Sequence, residues 1–326
     1  MKALLICENL LDAIARKEIV EGNVHSVFDN ACNIETNHKF ITLLCKDKIM
    51  APMSVIVDNG EKVNFKDLNI TQNLVFKIDV NGFHCGKRDI FIDLYGAEKW
   101  YPGVRMKFFS CLENQLLENI KIMEIGLISQ GKPYGIGPLI SMLSDELPEL
   151  GLTHIQADAH DKSFEFIKHR FLNFIRALIT ADTKGITEIA ESIIGFGVGL
   201  TPAMDDFISG LLISFIYLGN YYKFDISKIY ELNKKVIFKS INKTTRVSSE
   251  MLKHSSIGET NQGVRELMEK LFNPHNEENI MKALLNIIGY GETSGTDTAF
   301  GIYVGSKIFT NLKYRRNWLN EYLLRY

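Results

Sequence analysis

The sequence predicts an α+β protein: a small β barrel or sandwich-like module over residues 1–103, followed by a mainly α-helical domain over residues 104–326. Three observations predict it. Short β-branched and aromatic runs separated by turn formers fill the first hundred residues. Beyond Trp100-Tyr101-Pro102-Gly103 the apolar residues recur at three and four. A chain of 326 residues also suits about two domains.

The strand candidates are residues 24–28, 40–44, 54–57, 73–78 and 90–94, with turns at Asp58-Asn59-Gly60, Asn81-Gly82 and Gly86. No helix-length segment separates these strands, so an antiparallel arrangement is expected. In the second half, Leu112, Leu116, Leu117, Ile120 and Met123 predict a helix over about residues 104–128. Phe164, Ile167, Phe171, Phe174, Ile175 and Leu178 predict another. Further helices are expected at 185–194, 203–222, 226–241, 247–256, 261–272, 277–289, 297–309 and 312–325. The last would be a packed terminal helix with Lys313, Arg315, Arg316 and Arg325 on a solvated face.

Composition removes several function classes. Lys and Arg number 37 against 39 Asp and Glu, a formal charge of −2, so nothing draws the chain as a whole to nucleic acid or anionic membrane. The longest apolar stretch, residues 207–218, is broken by Ser209, Gly210 and Ser214 and falls short of the ~20 residues of a membrane-spanning helix. Residues 1–16 carry Glu8, Asp12 and Arg16 and no small-residue cleavage site, so no signal peptide is expected. Five widely spaced cysteines, Cys7, Cys32, Cys45, Cys85 and Cys111, suit reduced thiols in a cytoplasmic protein.

The most informative segment is Gly195-Phe196-Gly197-Val198-Gly199-Leu200-Thr201-Pro202-Ala203-Met204-Asp205-Asp206-Phe207. Three alternating glycines do not belong inside a helix. Thr201 fits an N-cap, with Pro202 at the first helical position. A glycine-rich loop leading into a buried helix presents free N–H groups and a positive helix end, to which a phosphate or carboxylate is the natural visitor. The spacing matches neither a dinucleotide fingerprint nor a Walker A loop, and a packing corner explains an isolated glycine cluster equally well. A second segment, Gly289-Tyr290-Gly291-Glu292-Thr293-Ser294-Gly295-Thr296-Asp297-Thr298, repeats the chemistry about 95 residues on.

Asp205, Asp206 and Asp297 all fall in first helical turns, where a carboxylate also complements the helix dipole. Adjacent Asp205 and Asp206 point about 100° apart, so one can serve a cleft while the other faces elsewhere. Carboxylates in an anion site need a countercharge, either Mg²⁺ or a basic side chain. Arg246 offers a planar fork for a carboxylate or phosphate, although a surface ion pair is equally ordinary for it; Lys132 is a weaker candidate in a connecting loop. His154, Asp158 and His160 lack metal-site spacing. His84 and Cys85 are neighbours in a strand or turn, which disfavours a dyad.

These residues carry a resemblance. The run Gly195-x-Gly197-x-Gly199-Leu200-Thr201-Pro202-x-x-Asp205-Asp206-Phe207-x-x-Gly210, followed by Ser294-Gly295-x-Asp297-x-x-x-Gly301, resembles the AllH-like family. Val24-x-Ser26-Val27-Phe28 with Asn33, and Thr244-Thr245-Arg246-x-Ser248, resemble it too. Val198 and Ala203-Met204 depart from the family pattern, which carries Pro and Ser-Gly there.

The resemblance implies a subunit of oxamate carbamoyltransferase: oxalurate plus phosphate giving oxamate plus carbamoyl phosphate, in anaerobic use of allantoin nitrogen. It implies a small anionic substrate and companion carbamoyltransferase subunits, one like an acyl-CoA synthetase, with no nucleic acid and no membrane. On that reading Gly197, Gly199 and Thr201 cradle an anion and Ser294 and Gly295 face them. Arg246 clamps a carboxylate or phosphate. Asp205 or Asp206, with Asp297, orients a carbamoyl amine or holds Mg²⁺; no cofactor is otherwise implied. The competing reading is a non-catalytic interaction subunit whose glycine turns are packing corners. A third is another enzyme on the same fold that binds a small acid or a phosphate ligand.

Overall fold

The computed structural model describes residues 1–37, 39–58, 60, 64–105, 109–153, 162–274 and 276–312. The chain divides into two compact units, Met1–Gly103 with Thr260–Gln262, and the rest of the described chain from Val104 on. His154, Asp158, His160 and the expected basic terminal helix lie outside the described residues.

The first unit is a closed barrel. Its elements are β1 (Lys2–Cys7), α1 (Glu8–Ala15), β2 (Glu21–Val27), β3 (Ala31–Glu35), β4 (Phe40–Cys45), β5 (Ser54–Asp58), β6 (Val75–Ile78), β7 (Gly82–Cys85), β8 (Ile90–Asp93) and β9 (Glu98–Trp100). The sheet order is β5-β4-β3-β2-β6-β7-β8-β1, and a further β5–β1 pairing closes the ring while β9 adds beside β1. Closure removes the exposed strand edges an open sheet would present. Ile41, Leu43 and Cys45 are buried along β4 at the period of two expected of a strand with one face in a core, while β5 is buried continuously from Ser54 to Val57.

The pairing departs from the antiparallel expectation. β4–β5, β1–β8 and β1–β9 are parallel. The β1–β8 and β1–β9 pairs join segments more than 80 residues apart in the chain, and β4–β5 is reached by a short connection over residues 46–53, none of which a hairpin-by-hairpin reading anticipates. Gly82, expected in a turn, starts β7 instead. A β-carbon there would lie 2.2 Å from the Ile92 carbonyl oxygen, so only glycine admits the neighbouring strand. His84 stacks on Phe91 with ring centroids 4.4 Å apart while Cys85 is buried, so the two form no dyad.

The second unit contains α2 (Glu113–Gln130), α3 (Gly137–Glu146), α4 (Lys162–Thr180), α5 (Thr183–Ile193), α6 (Ala203–Tyr221), α7 (Ile226–Ile237), α8 (Arg246–Ser255), α9 (Gln262–Leu271, its first residue counted with the barrel), α10 (Glu277–Ile288) and α11 (Ser294–Leu312). α2 starts later than its periodicity suggests because the preceding segment is tied elsewhere. The amides of Ser110 and Cys111 both donate to the Phe272 carbonyl, at 3.0 and 3.1 Å.

α6 is buried continuously from Met204 to Gly219. A helix apolar all round belongs at the centre of a helical core, which accounts for the long hydrophobic run without a membrane. No helix among the described residues is long and apolar enough to cross one. All five cysteines are buried free thiols.

α6 and α11 pack side by side and run in the same direction. A β-carbon on Gly301 would lie 1.9 Å from the Phe207 carbonyl oxygen, one on Gly210 2.0 Å from that of Thr298, and one on Gly305 2.1 Å from Ser214 Oγ. Glycine lets the two backbones approach to a distance that any side chain would prevent. Two parallel helices packed this closely start at the same end, and that end is where the two glycine–hydroxyl–aspartate segments lie.

Candidate functional site

The segment before α6 adopts left-handed backbone at all three glycines, with φ of +86° at Gly195, +122° at Gly197 and +95° at Gly199. These angles are ones that L residues with side chains rarely take. Residues 197–200 are exposed. Among the described residues, no hydrogen bond engages the amides of Gly197, Val198 or Gly199. The loop is therefore exposed, and these three donors are unengaged.

The start of the helix differs from the sequence expectation. α6 begins at Ala203, with Pro202 at the capping position and no side-chain cap. Thr201 does not cap. Its hydroxyl lies 3.1 Å from that of Ser294, and both hydroxyls are close enough to Asp206 to oppose the rise in its pKa. The Pro202 carbonyl accepts the amides of Asp205 and Asp206, so the helix is started by the backbone and Thr201 is left for Asp206.

The adjacent aspartates have opposite situations. Asp205 Oδ1 accepts the Gly195 amide at 2.6 Å, and Oδ2 accepts the hydroxyls of Thr244 and Ser248 at 2.5 Å each. Burial raises its pKa and these three donors oppose the rise. Asp205 is thus a fully bonded tie between the glycine loop, α6 and the start of α8. Thr245 caps α8 by accepting the Ser248 amide at 3.1 Å, and its hydroxyl also donates to the Leu200 carbonyl of the loop.

Asp206 is 3% exposed and its Oδ2 has no donor. Burial pushes its pKa well up; the Ser294 and Thr201 hydroxyls oppose this, and the nearby charges of Asp297 and Asp205 reinforce it. Asp297 is fully buried on the first turn of α11. Its Oδ1 accepts the Ile136 amide at 2.7 Å, while its Oδ2 has no donor. Burial lifts its pKa to about 7, against the Ile136 amide and the Thr293 hydroxyl. The outcome is two buried carboxylates close enough for the charge of Asp297 to act on Asp206, each with an oxygen that has no donor.

The first turn of α11 is closed by backbone hydrogen bonds, while residues 289–292 before it are exposed. The Gly295 amide donates to the Tyr290 carbonyl at 3.1 Å, and the Asp297 amide to the Thr293 carbonyl at 2.9 Å. A β-carbon on Gly295 would lie 1.8 Å from the Ile287 carbonyl oxygen. Gly295 therefore serves close packing, and its N–H is already used. Lys132 belongs to this corner: its amide donates to Thr296 Oγ1 at 3.3 Å and its ammonium to the Gly291 carbonyl at 3.0 Å.

Asp206, Asp297, Thr201 and Ser294 are brought together, and the unengaged amides of Gly197 and Gly199 precede Thr201 in the chain. Arg246 sits on the first turn of α8 and forms an ion pair with Glu250, which also pairs with Lys253. Although burial opposes it, Lys253 and Arg246 hold the Glu250 carboxyl below its ordinary range. Three participants escaped the sequence reading. Ile136 supplies an amide from a stretch that reads as loop. Thr293 precedes α11. Tyr290 is half exposed and lies near enough to Asp206 for that charge to raise its hydroxyl pKa. Only the small-residue run Gly135-Ile136-Gly137 hinted at the first: a β-carbon at Gly135 would lie 2.4 Å from Asp297 Oδ1.

Fold and site together define a class: a barrel module joined to a helical unit in which two parallel glycine-started helices open on a pair of buried carboxylates. Residues 193–306 match the family described as oxamate carbamoyltransferase subunit AllH, and residues 2–99 match the AllH family N-terminal domain. The chain belongs to the AllH family, a family of carbamoyltransferase subunits. No solved structure matches it.

Proposed function

We propose that this chain is the subunit of a cytoplasmic carbamoyltransferase that carries a carbamoyl group between oxalurate and phosphate, releasing oxamate and carbamoyl phosphate in allantoin nitrogen catabolism. Companion subunits, one like an acyl-CoA synthetase, would complete the enzyme. The observation that carries the reading is the exposed loop of Gly197, Val198 and Gly199, whose unengaged amides come just before Thr201 and the start of α6. Every species in the reaction is a small anion, and unengaged amides before a helix start suit such a guest.

In the transfer, a phosphate oxygen attacks the carbamoyl carbon, the bond from that carbon to the oxamate nitrogen breaks, and the phosphate proton ends on that nitrogen. No covalent protein intermediate is required, so catalysis is positioning and electrostatic stabilisation. In this reading Gly197, Gly199 and Thr201 cradle the anion, with Ser294 facing them. Asp206 and Asp297 stand at the carbamoyl centre, and need a positive partner before an anion can rest beside them. Arg246 reaches a substrate only by leaving Glu250.

Calorimetric titration with phosphate, oxamate and carbamoyl phosphate, with and without Mg²⁺, tests the reading. Binding by the wild-type protein, weakened by Thr201→Ala and Asp206→Asn, supports it. Equal binding by both variants removes the residue roles.

A further inference from the structure

We propose that Asp206 and Asp297 are protein ligands of a hard divalent cation of the Mg²⁺ and Mn²⁺ class, held at the shared start of α6 and α11. The inference rests on reading this corner as a site, and is independent of which anion visits it.

The contrast with Asp205 carries the argument. Three donors satisfy Asp205, which is fully buried, so this fold supplies partners to a buried carboxylate where the carboxylate is structural. Its neighbour Asp206 and the facing Asp297 are as deeply buried, at 3% and 0% exposure, yet each keeps an oxygen with no donor. Burying an ionised carboxylate without a partner is costly, so each of the two needs a proton or a positive group, and the proposed partner is a cation. The local cations do not fill the role. The Lys132 ammonium is hydrogen-bonded to the Gly291 carbonyl and Arg246 is paired with Glu250. Neither is among the groups that set the charge balance of Asp206 or Asp297.

The donor set specifies the class of cation. Carboxylates flanked by the hydroxyls of Thr201 and Ser294 offer oxygen alone, with no thiolate or imidazole, which favours a hard ion over Zn²⁺ or Cu²⁺. No cluster of three or more His, Cys, Asp or Glu capable of holding a metal occurs among the described residues, so a full protein cage of the Ca²⁺ type is not built here. Mg²⁺ commonly takes one or two carboxylates and leaves its other positions to water and phosphate oxygens. A cation so held would let a dianionic guest rest between the loop amides and the carboxylate pair.

The test uses the full-length protein, stripped with chelator, at pH 8 and without substrate. Mn²⁺ is titrated by electron paramagnetic resonance and Mg²⁺ by calorimetry. The expected result is one cation per chain, weakened about 10- to 100-fold in both Asp206→Asn and Asp297→Asn and unchanged in Glu292→Gln, an exposed neighbouring carboxylate. If a variant fails to fold, the wild-type melting temperature decides: it should rise with Mg²⁺. Mn²⁺ bound equally by wild type and both variants, or a wild-type melt indifferent to Mg²⁺, would overturn the proposal and leave a shared proton as the partner. Because no substrate is present, cation binding can fail while phosphate or oxamate binding stands, and the reverse.

Discussion

The starts of α6 and α11 look alike in sequence and differ in structure. Each has glycines, a hydroxyl residue and an aspartate. Before α6 the glycines hold an exposed loop with unengaged amides, whereas in the first turn of α11 Gly295 is pressed onto the Ile287 carbonyl and its amide is taken by Tyr290. Gly197 and Gly199 lie in an exposed loop and Gly295 in a packed first turn, and each helix start contributes a buried carboxylate. A glycine therefore says little until it is known what a β-carbon would touch. Gly199 would touch nothing within 4 Å, while Gly295 would strike backbone at 1.8 Å.

The largest expected effect breaks the packing that brings the two starts together. Gly301→Val drives a side chain into the Phe207 carbonyl and should cost the helical unit about 3 kcal/mol or more in urea unfolding. Gly199→Ala, in open space but at φ +95°, should cost about 1 kcal/mol. Equal losses at the two positions would erase the distinction between seam and loop.

Next comes the tie. Asp205→Ala strands the Gly195 amide and the hydroxyls of Thr244 and Ser248, an expected loss of about 2–4 kcal/mol. Asp205→Asn, which keeps one acceptor oxygen, should lose less.

Asp297 should respond in the opposite direction. Its pKa is about 7 in the folded chain, against an ordinary value of 3.8. Between those values the folded state binds more protons than the unfolded state, so stability falls as pH rises through the window and levels off above 7. In chelator-treated buffer at pH 8, Asp297→Asn should be more stable than wild type, by as much as about 4 kcal/mol, and should flatten the pH dependence. Thermal melts from pH 4 to pH 8 read both. A variant less stable than wild type at pH 8 would show that the carboxylate already has a partner.

Smallest is Arg246→Ala, which removes a partly exposed ion pair and should change stability by less than about 1 kcal/mol.

Helical periodicity made most of the second unit legible, because Phe171, Phe174 and Ile175 point to one core whatever surrounds them. α3 was hidden because Pro133, Gly135, Gly137 and Pro138 read as loop, although Pro138 sits where a helix start tolerates it. Barrel closure was illegible for another reason. It depends on β1 meeting β5, β8 and β9, and no local pattern records pairings across 50 to 90 residues. At the site, the divergence of Asp205 and Asp206 followed from helix geometry. Which of them is tied down did not, because the tie comes from Thr244 and Ser248, about 40 residues away.

The most direct test of the contrast between the two starts is glycine-selective ¹⁵N labelling with phosphate added in the presence of Mg²⁺. The amide signals of Gly197 and Gly199 should move with phosphate and that of Gly295 should not. Movement at Gly295 with Gly197 and Gly199 still would contradict the account.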